Sequence, residues 1–217
     1  MAYDFNGSTQ YLSCTSSPLG NSPVTFSIAC WVNANAGSNR FVAAFGSSTN
    51  NTPILTMGAG FVESGQNTSH FRAFSRNDAN SIRFDMAGGV AFDNTWHHVC
   101  LRCNTTDSKI YVDGANTNTG NAQSGAQTFN RFAIGALLRA SALNHIDGSV
   151  ADVGVWSADL TEQEIKSLSA GMTCDKVRPQ SLVFYAPLVR ELQDVKGGLT
   201  ITNNNTATVA NHPRVYA

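Results

Sequence analysis

Short apolar segments follow one another along the chain, each closed by Gly, Asn, Ser or Asp, and several alternate apolar with polar residues as half-buried strands do. Lys109-Ile110-Tyr111-Val112 is the clearest of them. It runs into Asp113-Gly114, a dipeptide suited to the positive φ angles of a tight turn. Asn6-Gly7 gives the same signal between Tyr3-Asp4-Phe5 and Gln10-Tyr11-Leu12, and predicts a hairpin there. Further strands are predicted at residues 24–32, 41–45, 54–57, 70–74, 81–85, 96–103 and 129–134. Residues 117–127 break the pattern, being polar and Gly-containing without apolar periodicity, and predict an exposed loop.

Near the end of this series, alternation over residues 150–156 predicts a strand with Ala151, Val153 and Val155 on one face. Val150, Asp152, Gly154 and Trp156 take the other. A single short helix follows. Thr161 and Glu164 form a capping box, Leu160 and Ile165 fall at the two positions of a hydrophobic staple, and Gly171 is the stop signal. Beyond it, residues 181–188 and 199–201 read as strand pieces around a Gly197-Gly198 break. The expected organisation is one domain over residues 1–175 and an extension over 176–217 that packs on the sandwich or on a neighbouring subunit. Many short, evenly punctuated strands with one helix predict an all-β, two-sheet antiparallel sandwich of the jelly-roll kind.

Composition narrows the partners. With 217 residues, 13% of them charged, and a formal net charge of -1, the chain carries no overall electrostatic footprint for nucleic acid or an anionic membrane surface. No apolar run spans a bilayer, and the N-terminal residues lack the basic and apolar regions of a secretory signal, which predicts synthesis and folding in a cytosol. The five cysteines are an odd number, in keeping with a reducing compartment.

An ordered series of pieces carries a family resemblance: Phe5-Asn6-Gly7-Ser8, Phe26 to Val32, Trp96-His97-His98-Val99, Ile110 to Gly114, Ile134-Gly135, Gly148 to Trp156 and Leu160 to Ile165. Together these resemble the laminin G-like, concanavalin A-like jelly-roll family over residues 3–170. The resemblance implies two packed antiparallel sheets with the helix against one edge. It also implies calcium as a plausible cofactor, with Asp4, Asp147 and Asp152 as candidate ligands helped by backbone carbonyls. Phe184 to Leu188 and Asn211-His212-Pro213-Arg214 resemble endings attached to such domains in bacteriophage structural proteins.

Catalytic patterns are weak. Glycan hydrolysis needs two carboxylates across the scissile bond, and none of the four glutamates, Glu63, Glu162, Glu164 and Glu191, sits in an alternating acidic strand. Glu162 and Glu164 belong to the helix cap. Cys100 and Cys103, like His97 and His98, point to opposite faces of a strand, which opposes shared metal ligation. There is no Gly-x-Ser-x-Gly elbow and no phosphate-binding glycine loop. The sequence therefore predicts a non-enzymatic structural or interaction module. Its leading form is a phage virion surface protein, such as a capsid decoration or tail component, made in the host cytoplasm, with other virion proteins and itself as partners. The alternative is a lectin-like glycan-binding module, with or without calcium, in which an exposed aromatic stacks on sugar and Asn or Asp side chains bind hydroxyls.

Overall fold

The computed structural model describes residues 1–35, 37, 40–59 and 69–211, side chains 90 and 91 excepted. Glu63 and His212-Pro213-Arg214 lie outside them. Two antiparallel sheets pack face to face. The first holds β1 (Ala2–Asn6), β3 (Phe26–Ala34), β8 (Trp96–Cys103), β9 (Asp107–Val112), β10 (Ala115–Asn121), β14 (Asp147–Trp156), β15 (Leu182–Ala186) and β17 (Thr208–Ala210). The second holds β2 (Tyr11–Cys14), β4 (Arg40–Gly46), β5 (Ile54–Ala59), β6 (His70–Arg76), β7 (Ile82–Ala91), β11 (Arg131–Ile134) and β16 (Ile201–Asn204). A small hairpin, β12 (Leu137–Leu138) with β13 (Ala142–Leu143), lies on the second sheet, where Leu137 joins Phe41, Ala44, Ile54 and Phe74.

The inner faces share one core. Phe132 of the second sheet stacks on Phe45 at 4.5 Å and meets Phe184 of the first edge-on at 5.1 Å. A second cluster covers the outer face of the first sheet at one end, where α1 (Glu162–Ser169) lays Ile165 and Leu168 over Trp156, Ala29, Cys100 and Tyr111. The cap is formed as its sequence requires: Thr161 Oγ1 accepts from the Glu164 amide at 3.3 Å and Glu164 Oε2 accepts from the Thr161 amide at 2.7 Å. Leu160 and Ile165 are both buried. Arg178 holds Glu164 through two bonds of 2.8 and 2.7 Å, tying the helix to the chain that leads into β15.

Three local expectations need correction. Asn6-Gly7 turns the chain, with Gly7 at φ 70°, but it joins no hairpin: β1 pairs with β14 and β17, and β2 with β11 and β16 in the other sheet. The Asn6 side chain accepts the amides of Ser8, Thr9 and Gln10, holding an arch between layers. The alternation over 150–156 is also broken. Ala151 faces Trp31 and Gly154 faces Ala29, so one extra residue is inserted at Asp152, whose φ is 51°. Val150 therefore shares the inner core with Val153 and Val155.

The third correction concerns residues 117–127. The first part continues β10, paired with β9 and bonded to the second sheet through Asn118 Nδ2 and the Ala87 carbonyl at 2.7 Å. Gln123 and Gln127 are then buried. They close a ring with Ser75, in which Ser75 Oγ donates to Gln123 at 2.8 Å, Gln123 donates to Gln127 at 2.5 Å and Gln127 returns a bond to Ser75 at 3.1 Å. Polar residues can be buried when they satisfy one another, and a hydrophobic pattern cannot register that.

All five cysteines are unpaired and buried. Cys103 lies in the inner core and Cys100 under the helix, on opposite faces of β8. Beyond residue 175 the chain rejoins its own sandwich: β15 pairs with β14, β16 with β2 and β17 with β1.

Candidate functional site

The helix covers only one end of the first sheet's outer face. At the other end, register alone builds a site. Tyr3 and Phe5 point into the core, so Asp4 between them points out. Asp4 is paired with Ser149, Ser149 with Asn33, and Asn33 with Trp96. Four neighbouring strands thus present four outward residues in a single row, spanning about 14 Å at ordinary strand spacing.

Asp147, Asn35 and Asn94 stand at the ends of the same strands and complete a cleft of about 500 Å³, with Gly148, Ala210 and Asn211 also lining it. Gly148 has φ 144° and lies against the backbone of Asn33 and Ala34, where a side chain has no room. Within the cleft, Asp4 Oδ1 accepts from Ser149 Oγ at 2.7 Å, and Asp147 Oδ2 accepts from Asn35 Nδ2 at 3.0 Å. The Arg40 guanidinium stands 3.5 Å from Asp147. The lining is a mixture of donors and acceptors beside one half-buried indole.

A small hydrogen-bond network lies next to Trp96 in the chain. Asp93 accepts from Thr95 through both its amide, at 3.0 Å, and its hydroxyl, at 2.6 Å. His97 bridges Asp93 and Asp113 at 3.3 and 2.7 Å. Burial opposes charge on this imidazole, but its bonds to the two carboxylates prevail and raise its pKa. One row further along the face, Trp31 meets His98 edge-on at 5.5 Å. Burial pushes His98 down to about 4, so its ring is neutral at physiological pH. Trp31 Nε1 and His98 Nδ1 are both buried without a hydrogen-bond partner among the described residues.

Of the three predicted calcium ligands, Asp4 and Asp147 come together and Asp152 does not. Asp152 is buried beneath the turn at Cys174–Lys176, where Tyr185 Oη donates to it at 2.7 Å and the Cys174 thiol lies 3.5 Å away. Among the described residues no three His, Cys, Asp or Glu side chains gather as a metal site. Asp4 and Asp147 each accept one hydrogen bond, from Ser149 and Asn35, and Asp147 faces Arg40, so these two carboxylates alone supply fewer than the six to eight oxygens that calcium takes. Trp96, Asn33, Asn35, Asn94 and Ser149 were not singled out as ligands by the sequence. The alternation Trp31-x-Asn33-x-Asn35, which sends polar residues outward at a strand end, was the available signal.

The family model for the concanavalin A-like lectin/glucanases superfamily matches residues 6–166. The chain belongs to that superfamily. No curated protein sequence matches it. Among solved structures, a putative carbohydrate binding protein from Bacteroides ovatus aligns with TM-score 0.66 at 18% identity, covering 97% of this chain and 61% of that one. This superfamily member thus spans about three fifths of the Bacteroides protein's length. A heptameric SAP-like pentraxin from Limulus polyphemus aligns with TM-score 0.63 at 15% identity over 96% of this chain and 97% of its own. The CBM40 of Ruminococcus gnavus IT-sialidase, bound to α2,3 sialyllactose, aligns with TM-score 0.61 at 11% identity over 77% of this chain and 96% of its own. At these identities the likeness is one of fold.

Proposed function

We propose that this superfamily member is a non-catalytic glycan-binding module, with the sugar lying along Asp4, Ser149, Asn33 and Trp96. The observation that carries this reading is the row itself: four directly paired strands turn a carboxylate, a hydroxyl, an amide and an indole toward one cleft. Sugar hydroxyls need both donors and acceptors, and a sugar's apolar face needs an aromatic wall. Both acidic side chains stand in a polar lining and accept hydrogen bonds, unlike the apolar pocket in which a glycosidase keeps its acid protonated.

The named relatives support carbohydrate more than particle assembly, which reverses the order of the two readings drawn from the sequence. The C-terminal extension, which carries the motifs resembling phage-protein endings, pairs with its own sandwich through β15, β16 and β17.

The test is a glycan array probed with the full chain, followed by titration of a hit against the Trp96→Ala variant. Loss of the indole is expected to weaken binding about tenfold or more while the melting temperature stays near that of the parent. A silent array, or a variant that binds as well as the parent, refutes the assignment. Binding is also expected to survive chelation: with Asp4 and Asp147 the only carboxylates among the described lining residues, EDTA should leave both affinity and melting temperature unchanged. A melting temperature that climbs several degrees with millimolar calcium would instead place the ion on these two carboxylates.

A further inference from the structure

Asn94 and Trp96 line the cleft from the turn that leads from β7 into β8. Asn94 has a left-handed φ of 64°, a conformation that persists only where the surroundings hold it. Its amide donates to the Ala34 carbonyl at 3.1 Å. The rest of the hold is polar. Asp93 Oδ1 accepts from the Thr95 amide and hydroxyl, and His97 Nε2 stands 3.1 Å from that hydroxyl and 3.3 Å from the same carboxylate oxygen. Across the ring, His97 Nδ1 lies 2.7 Å from Asp113 Oδ2, while Asp113 Oδ1 accepts from the His98 amide at 2.9 Å. One imidazole thus ties the turn before β8 to the turn between β9 and β10.

Both ring nitrogens face acceptors. A charged imidazole donates from each, whereas a neutral one has a single N–H. With the proton kept at Nδ1 for the shorter bond to Asp113, a neutral ring turns a lone pair toward Asp93 and toward Thr95, whose hydroxyl hydrogen already goes to Asp93. The turn must then give up a bond or move. The charges facing the ring are those of Asp113 and Asp93, and α1 sets Lys166 against Gly114, the residue after Asp113. The two carboxylates outweigh burial and favour the proton. His97 has the strand parity of Val99 and Leu101, which point into the core, so it does not itself face the cleft.

We infer, on the glycan reading of the cleft, that His97 is its positioning residue: while charged it clamps the turn that carries Asn94 and Trp96, and saccharide binds most tightly in that state. A ligand that needs the clamped turn binds more weakly as pH rises through the His97 pKa, above about 6.5, and by linkage raises that pKa when bound.

The experiment follows a glycan-array hit by calorimetry from about pH 5.5 to 8.5 with the full chain and its His97→Gln and Asp113→Asn variants. It is joined by NMR titration of the His97 ring with and without the sugar, and by hydrogen-exchange protection of the Asn94 and Thr95 amides in the free protein. The parent should lose about fivefold or more in affinity over that range, and His97→Gln should bind weakly with a flat profile. Asp113→Asn, which keeps the acceptor for the His98 amide, should move the fall to lower pH. Subtracting the His97→Gln profile removes the Met1 amine, whose pKa burial lowers toward the same range. Melting temperatures near the parent's check that both variants fold. With a silent array the glycan reading fails, and amide protection that falls as pH rises still supports the clamp. Parallel affinity profiles in parent and His97→Gln, a His97 pKa unmoved by the sugar, or protection indifferent to pH overturns the inference.

Discussion

Replacing Trp156 by alanine is expected to remove about 3–5 kcal/mol of stability. Trp156 is fully buried at the centre of the cluster that joins the first sheet to α1 and to the chain after it. Ile165 and Leu168 reach it from the helix, and Val177, Leu182 and Tyr185 from the extension. Its indole N–H also donates to the Val177 carbonyl at 2.8 Å, so the truncation leaves a cavity and a buried carbonyl without its partner. Urea unfolding measures the effect, and Trp156→Phe, which keeps most of the volume, should lose clearly less. A loss under about 1 kcal/mol for the alanine variant would mean that α1 and the extension are held mainly by other contacts. The cleft lies at the opposite end of the same face, so the folded fraction of either variant should bind glycan as the parent does.

The second large effect is a pH dependence that Asp152→Asn should abolish. Burial pushes Asp152 up to about 6, although its bonds from Tyr185 and Cys174 pull the other way. A carboxyl whose folded pKa exceeds its unfolded one retains a proton in the native state that the unfolded chain has released. Its stabilising contribution is complete below about pH 4 and is lost as pH rises to about 6, a change of up to about 3 kcal/mol. Asparagine keeps the acceptor for Tyr185 and cannot titrate. The difference in unfolding free energy between parent and Asp152→Asn should therefore move in favour of the variant across that window. Subtracting the two curves removes Asp93, Glu164 and Asp175, whose lowered pKa values give the opposite slope. Parallel curves from pH 4 to 7 would show that Asp152 does not titrate there.

Asp152 also marks the limit of what a hydrophobic pattern can tell. As a polar residue in an alternating run it reads as outward and solvated, and the family resemblance made it a candidate calcium ligand. An inserted residue at that point leaves it in a bulge, covered by a turn and a strand that arrive more than twenty residues later in the chain. The extension hides it, and no local signal announces this. Gln123 and Gln127 are similar, since their burial depends on Ser75, some fifty residues away.

Other elements were local and therefore legible. The capping box and staple of α1 depend on residues within one helical turn, and they form as their spacing requires. Asp113-Gly114 closes a hairpin because both residues take the positive φ angles that dipeptide tolerates, 50° and 79°. The opposite placement of Cys100 and Cys103 followed from strand parity alone.

By itself, then, the sequence determined the class of the fold, the one helix and its cap, and which way each strand residue faces wherever alternation is unbroken. These depend on backbone geometry and on burying one face of each strand, both settled over a few residues. Only the tertiary structure decided that Asn6-Gly7 joins two sheets, that the extension completes its own sandwich, and that Asp4, Ser149, Asn33 and Trp96 form one row. Strand order and register set those outcomes, and they arise from contacts between segments far apart in the chain. Asp4 and Ser149 are neighbours in space because β1 and β14 pair across more than a hundred residues, a fact that no window of sequence contains.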